Sequence, residues 1–576
     1  MMTMKKACTV VLLLFVVSLI YVMLPVGDVS AEETAIAFPV EGKRAMVVTG
    51  QELATKEALL VLKKGGNAVD AAVTAAFVMA VTLPRAGNIG GGGFMLIHNA
   101  ATKEVIALDF WQKAPAAASR AMFVRDGKAD AKLSRESYIA VAVPGTVAGL
   151  GFALGKYGTI SLGEALRPAI RYAEKGFVMG PGLSSDIKSY EKLLKARPGS
   201  ARKFFKPSGG YYEAGDLFVQ KDLARTLTAI AKGGPDVFYK GDIAARIARQ
   251  MRENSGLVTK EDLAAYAPVV RKPVHTTYRG HDVYSMYPPS SGGVCITEAL
   301  NILERFDVAR AGHNSAAGIH LIAEASKRAF ADLFVYAGDP DAVAIPVKGL
   351  TSKEYGAKLA TGIDPARATP SSQMRSGEAK VYEKDDTTHF SIVDGEGNAV
   401  SATYTLNGNF GSGIVVDGAG FLLNNEMDNF NSNPGKPDSA GIIESEANAI
   451  APNKRMITAM APTMVFREGR LFLVTGSPGS SRIISTVLQV VLNVIDHKMN
   501  IQEAVNAPKV HHEWMPDELR IEKGISPDTA KMLGQMGHNV VLRGPMGSAT
   551  SILIDPATGK RYGAADPRRE GLAMGY

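Results

Sequence analysis

Hydrophobic and polar positions along this chain of 576 residues change texture near Thr387. Before it, apolar spacing is mostly helical. Residues 51–64 place Ala54, Ala58, Val61 and Leu62 on one face, and Gly65-Gly66-Asn67 supplies a C-terminal stop. Residues 70–81 are small and apolar nearly all round, the pattern of a helix buried in the middle of a layered protein. The spacing predicts further helices over 147–157, 166–175, 223–231, 297–306 and 319–336, with strands at 94–97, 105–110 and 283–286. After Thr387, strands dominate: 390–393, 399–405, 464–466, 471–474 and 551–554, with one helix at 483–495. Helices outside and two strand-rich layers between them predict a four-layer αββα sandwich of the mixed α/β class.

Two glycine-rich stretches interrupt this pattern. Gly87-Asn88-Ile89-Gly90-Gly91-Gly92-Gly93 opens a strand, so its backbone is free to approach something closely. It is no dinucleotide fingerprint, which opens a helix, and no Walker A loop, which needs Gly-Lys-Ser/Thr. Residues 475–482 lead from a strand into a helix, where free backbone N–H groups can hold an anion. Residues 349–386 are polar and rich in Gly, Ser and Lys, and read as an exposed linker dispensable to a core.

Composition narrows the class. Hydrophobic residues at 46% and charged residues at 21% suit a soluble globular protein. Of the formal +7, residues 1–31 contribute a net +1, and no Lys/Arg patch interleaved with aromatics occurs in the remainder, which argues against nucleic-acid binding. Lys5 and Lys6, an apolar run to about Pro25, and Val29-Ser30-Ala31 have the order of a secretory signal, expected to be cleaved after Ala31. The alternative is a retained anchor, since the run nears spanning length. Cys8 falls in the signal, leaving Cys295 alone in the mature chain and no internal disulfide; it reads as a buried small hydrophobe.

Candidate chemistry begins at Asp385-Asp386-Thr387-Thr388-His389. A hydroxyl heading a core strand, just after an acidic loop, is where an autocatalytic nucleophile would sit; a β-branched residue may equally begin a strand for its propensity alone. Other motifs bear on that choice. Residues 65–72 (GGNAVDAA), 86–94 (AGNIGGGGF), Thr387-Thr388-His389, 423–428 (LNNEMD) and 475–479 (TGSPG) occur in one order. Together they closely resemble the γ-glutamyltranspeptidase (glutathione hydrolase) family of N-terminal-nucleophile hydrolases, over about residues 40–576.

The resemblance implies an exported, self-processing enzyme. Thr387 would cleave the Asp386–Thr387 bond, giving a large subunit, 32–386, and a small subunit, 387–576. The new amino terminus would then form a γ-glutamyl ester and pass the acyl group to water, an amino acid or a peptide. Thr405 would orient the nucleophile, and the N–H groups of Gly479 and Ser480 would form the oxyanion hole. Asn407 and Glu426 match expected acyl-site contacts. The resemblance implies no cofactor, no membrane attachment after signal removal, and a periplasmic or secreted location. His389 is expected to be a structural neighbour rather than a base. No metal site is expected, because His511-His512-Glu513 lacks the spacing that puts two histidines on one helical face.

The sequence departs from the family at the acyl site. The arginine that would meet a substrate carboxylate is Trp111, the aspartate that would meet an ammonium is Asn429, and the usual serine pair is Thr458-Ala459. Two readings stay open. Either Arg85, Arg455 or Arg482 substitutes and γ-glutamyl binding persists, or the enzyme is an acylase of glutaryl-like, uncharged-end or β-lactam side-chain amides. An unprocessed, non-catalytic envelope protein is the third alternative. The loop 434–445, the family's lid, has no tyrosine, which would weaken gating.

Overall fold

The strand that begins at Thr388 lies inside a sheet, and everything around it follows from covering both its faces. The computed structural model describes residues 37–374, 387–433 and 445–576. The expected signal (1–31), Asp386 and the lid loop up to residue 444 lie outside the described residues.

Two seven-stranded antiparallel sheets stack face to face. The first runs, edge to edge, Leu572–Gly575, Met46–Thr49, Thr388–Val393, Ala399–Thr405, Gly92–Asn99, Glu104–Phe110 and Val269–Arg271. The second runs Val40–Gly42, Arg561–Ala565, Thr550–Ile554, Arg470–Thr475, Thr463–Arg467, His281–Ser285 and Val274–Tyr278. The strands 388–393 and 399–405 are buried at every position, because helices cover one face and the second sheet the other. Helices Glu52–Lys63, Ala68–Thr82 and Thr146–Tyr157 pack on the first sheet; Gly292–Leu303 packs on the second, backed by Ala316–Tyr336 and Arg482–Ile495. This is the four-layer αββα arrangement that the periodicity predicts. Among the described residues no helix is long and apolar enough to cross a membrane.

Register sets the position of the candidate nucleophile. Thr388 pairs with Tyr404 across the antiparallel ladder, so one further step brings Thr387 beside Thr405. Thr405 in turn pairs with Gly92. Here the glycine run finds its use: a Cβ on Gly91 would overlap the Thr405 carbonyl.

Most predicted helices start earlier than their periodicity suggests, and in two of them a capping box sets the start. The central helix begins at Ala68 because Asn67 caps it: its side chain accepts from the N–H groups of Val69 and Asp70, while Asp70 accepts from Asn67. Likewise Ser161 and Glu164 form a capping box that opens Leu162–Lys175. Strands Met46–Thr49, Arg561–Ala565 and Leu572–Gly575 went unpredicted.

The linker reading of 349–386 is corrected over its described part. Lys353–Ala360 is a helix, and Ile363, Ala368 and Ser371 are buried. Backbone groups of this segment are held by buried side chains: Lys327 Nζ donates to Thr369 O (2.6 Å), Thr369 N–H to Glu324 (3.1 Å), and Trp514 Nε1 to Ser371 O (3.0 Å). Polar composition concealed this because the bonds are made by the backbone and by distant partners. Residues 375–386 lie outside the described residues.

Asp70 provides a test of the outer layer. Fully buried, it accepts from Asn67 N–H (2.8 Å), Thr159 N–H (2.7 Å), Thr159 Oγ1 (2.6 Å) and Ile160 N–H (3.2 Å). Asp70→Ala removes a buried carboxylate that accepts four hydrogen bonds from part-buried and exposed donors, and denaturant unfolding should show a loss of about 1–3 kcal/mol. A loss under about 1 kcal/mol would refute this role.

Candidate active site

The site forms at one end of the first sheet. Thr387 (6% exposed) and Thr405 (2%) open into one pocket. The same pocket is lined by Asn407, Glu426, Asn429, Thr458, Ala459 and Ser480, so residues far apart in the chain meet.

Each is held locally. The backbone turns sharply after the 399–405 strand: Asn407 has φ +80°, its N–H donates to Thr405 Oγ1 (2.9 Å), and its side chain donates to Asn425 O (3.0 Å). Glu426 is fully buried in a short turn of helix; Gln112 Nε2 (3.1 Å) and Asn429 Nδ2 (2.8 Å) donate to its two oxygens. Thr458 O accepts from both the N–H and the hydroxyl of Ser291, each at 2.8 Å. Gly479 (φ +133°) and Ser480 (φ +55°) precede helix Arg482–Ile495, whose N-cap is Ser481. Glycine adopts such a backbone freely; serine at φ +55° carries about 1 kcal/mol of strain. Ser480 and Ser481 line the pocket, whereas Gly479 lies next to them, outside the lining.

Trp111 lies elsewhere than expected. Its ring is fully buried, stacks on Phe94 at 5.3 Å, and donates Nε1–H to Met456 O (2.9 Å), so it serves the core and is no part of the pocket lining. The large indole finds more apolar contact in the core than at the pocket edge. Nor do the candidate replacement arginines line the pocket. Arg85 pairs with Asp186 (2.9 Å), and Arg455 lies near Asp109 (3.6 Å) and Asp341 (3.4 Å). Among the described residues, no Lys or Arg lines the pocket.

Several lining residues were not foreseen. Phe330, Leu333 and Phe334 on helix Ala316–Tyr336, with Ile457, Ile483 and Ile484, form an apolar wall. Glu513 adds a second carboxylate. Burial pushes its pKa up, but hydrogen bonds from His511 and Ser481 and the nearby Arg520 outweigh this and hold it below the usual carboxylate range. No local pattern marks these side chains; only packing brings them together.

His389 sits under the site, between the sheets. Its Nδ1 lies 2.7 Å from Thr403 Oγ1, and its Nε2 lies 3.2 Å from Ser391 Oγ and 3.4 Å from Ser401 Oγ. Full desolvation lowers its pKa to about 3, so it is a neutral imidazole at physiological pH. A Cβ on Gly476 would overlap its ring, so the turn after the 470–475 strand is seated directly on this histidine. Elsewhere, His320, Glu324 and His538 converge, but Lys327 and Arg328 (2.7 Å) both pair with Glu324, and the two imidazoles face each other at 2.9 Å. That is a closed ion-pair network rather than an open ligand set.

An αββα sandwich with a threonine at the head of a central strand, opening into a pocket, defines the N-terminal-nucleophile hydrolase class of enzymes. The Gamma-glutamyltranspeptidase family model matches residues 54–576, and the chain belongs to that family. Over 546 residues it is 49% identical to the glutathione hydrolase proenzyme of Escherichia coli (strain K12), covering 94% of each. It is also 39% identical to the acylase ACY 1 proenzyme of Pseudomonas sp. (strain SE83), over 94% of this chain and 96% of that protein. Among solved structures, cephalosporin acylase from Bacillus halodurans superposes with a TM-score of 0.82 at 28% identity, covering 93% of this chain and 97% of that one.

The His389 shift fixes a pH dependence. Above pH 6.5 the ring is neutral folded and unfolded, so it contributes no slope. As pH falls from 6.5 toward 3, only the unfolded chain takes up the proton, and stability drops. The full effect is on the order of 4 kcal/mol. In His389→Gln that component is absent, so the stability gap between wild type and variant should narrow as pH falls. A gap independent of pH between 7 and 4 would contradict a neutral buried ring.

Proposed function

We propose that this chain is an exported, self-processing γ-glutamyl amide hydrolase and transferase acting through a γ-glutamyl ester on Thr387. The observation that carries this reading is the meeting of Thr387 with Thr405, Asn407, Glu426 and Ser480 around one pocket. In the first reaction Thr387 Oγ attacks the Asp386 carbonyl, the peptide nitrogen leaves as the new α-amine, and water hydrolyses the ester. The products are subunits 32–386 and 387–576, once residues 1–31 have directed export and been removed.

The freed α-amine has an ordinary pKa near 7.7–8.0, so a useful fraction is neutral at physiological pH and can take the Thr387 hydroxyl proton. Thr405 orients that hydroxyl. Backbone N–H groups of Gly479 and Ser480 stabilise the developing oxyanion, for which each donor is commonly worth two to three orders of magnitude in rate. Asn407, Glu426 and Asn429 receive the substrate ammonium, and the acyl chain lies along Thr458 and Ala459. Water or the amine of an amino acid or peptide then takes the acyl group.

One observation favours the part of the acylase reading in which the donor has no carboxylate, and disfavours glutaryl, whose acyl chain ends in one. Glu426 and Glu513 both line the pocket and no described lining residue is cationic, so a carboxylate entering it meets like charge. The second reading keeps the nucleophile and changes only the acyl group.

Wild-type protein should run as two fragments, the smaller beginning at Thr387, and Thr387→Ala as one uncut chain without amidase activity. An uncut wild-type chain would refute the proposal. On the processed enzyme, γ-glutamyl anilide turned over faster than phenylacetyl anilide supports the first donor reading; the reverse order supports the second.

A further inference from the structure

Two carboxylates, Glu426 and Glu513, line the Thr387 pocket, and no described lining residue is a Lys or Arg. Glu426 is fully buried and Glu513 is 4% exposed, so both belong to the interior of the pocket. Glu426 accepts from Gln112 Nε2 (3.1 Å) and Asn429 Nδ2 (2.8 Å) on separate oxygens, and neutral amides leave a carboxylate its charge. Glu513 Oε2 lies 3.5 Å from His511 Nε2, and the Ser481 hydroxyl donates to the same carboxylate. The other oxygen, Oε1, is buried and accepts no hydrogen bond among the described residues. Arg520 Nη1 stands 3.4 Å from it as an ion pair; Arg520 lies outside the pocket lining and also pairs with Glu518 (3.3 Å). A buried carboxylate oxygen without a hydrogen bond, in the wall of a substrate pocket, is a place for an N–H donor.

Three kinds of acyl end can meet this surface. A carboxylate end adds a like charge to a desolvated site. An alkyl end excludes water from Glu513 Oε1 and puts nothing in its place. An ammonium end brings both N–H donors and the opposite charge, which makes the stronger class of hydrogen bond. The space is about 100 Å³, which limits the chain to a short one. We propose that Glu513, with Glu426, receives the ammonium of a donor that has no carboxylate, so that amides of short ω-amino acids, 4-aminobutanoyl amides foremost, are substrates of this enzyme. The inference rests on Thr387 as the acylated hydroxyl and extends the second donor reading. A 4-aminobutanoyl group is a γ-glutamyl group without its α-carboxylate, so carbonyl and nitrogen keep the same spacing. In the reaction Thr387 Oγ bonds to the amide carbonyl carbon, the C–N bond breaks, and the amine departs carrying the hydroxyl proton. Water then cleaves the ester, releasing the ω-amino acid and restoring the hydroxyl. The departing amine must exit to solvent, whereas both carboxylates are buried, so the ammonium belongs to the acyl half.

The test holds the leaving group constant and varies the acyl end. On the processed wild-type enzyme, 4-aminobutanoyl, 5-aminopentanoyl and 6-aminohexanoyl p-nitroanilides are compared with alkanoyl anilides of equal carbon number, and with glutaryl and γ-glutamyl anilides. At the best length the amino chain should exceed its alkanoyl counterpart in kcat/KM by about tenfold or more, and 4-aminobutanoyl should exceed both glutaryl and γ-glutamyl. Glu513→Gln should lower the ratio of amino-chain to alkanoyl kcat/KM about tenfold, whereas damage to the fold or to the turn at Ser481 lowers both alike. Amino chains no faster than alkanoyl chains at every length, or a faster γ-glutamyl anilide, overturn the inference while cleavage itself upholds Thr387. A ratio preserved in E513Q overturns it as well. If no Thr387 amino terminus forms and no anilide is cleaved, the nucleophile is refuted and the inference with it.

Discussion

The two sheets are tied together by polar groups that have no access to water. His389, Ser391, Ser401 and Thr403 face the second sheet from the strands 388–393 and 399–405. Ser391 donates to Thr550 O (2.9 Å), Ser401 donates to Thr475 O (3.0 Å), and Thr475 and Ser551 share a hydroxyl contact at 2.7 Å. An apolar interface tolerates sliding, since dispersion is non-directional. A seam of buried hydroxyls does not, because each lost partner leaves a desolvated group. The seam therefore locks the strand that carries Thr387 against the strand that leads to Gly479 and Ser480. Thr387 and the expected oxyanion donors come from different sheets, and this is the contact that sets their relative position.

Chemistry at such a site depends on where charge is kept out as much as on where it is placed. The pocket joins an apolar wall to two carboxylates. Glu426 is oriented by the neutral amides of Gln112 and Asn429, while Glu513 is held ionised by His511, Ser481 and Arg520. Arg455 and Arg271 are engaged with Asp109 and Asp341, in a cluster apart from the pocket. Trp111 turns into the core and Asn429 donates to Glu426, so neither position supplies a charge to the pocket. Membership of the γ-glutamyltranspeptidase family and the donor that a pocket accepts need not change together.

The sequence alone determined the local features whose cause is local. The all-round apolar run became the buried helix Ala68–Thr82, because a helix without a polar face has nowhere else to go. The glycine run became the stretch of backbone lying against Thr405, since no side chain fits there. The position of Thr387 at the head of a buried strand was legible from the change of texture that begins there. Only the tertiary structure decided what those features face. That Glu513 and Leu333 face one pocket has no periodic signature, because a pocket is built from side chains on separate elements. Trp111 was legible as a departure but not as a core residue, because sequence position does not fix the direction in which a ring packs. The segment through Ser371 looked dispensable for a related reason: polar composition reports what side chains prefer, whereas this segment is held through its backbone by Glu324, Lys327 and Trp514.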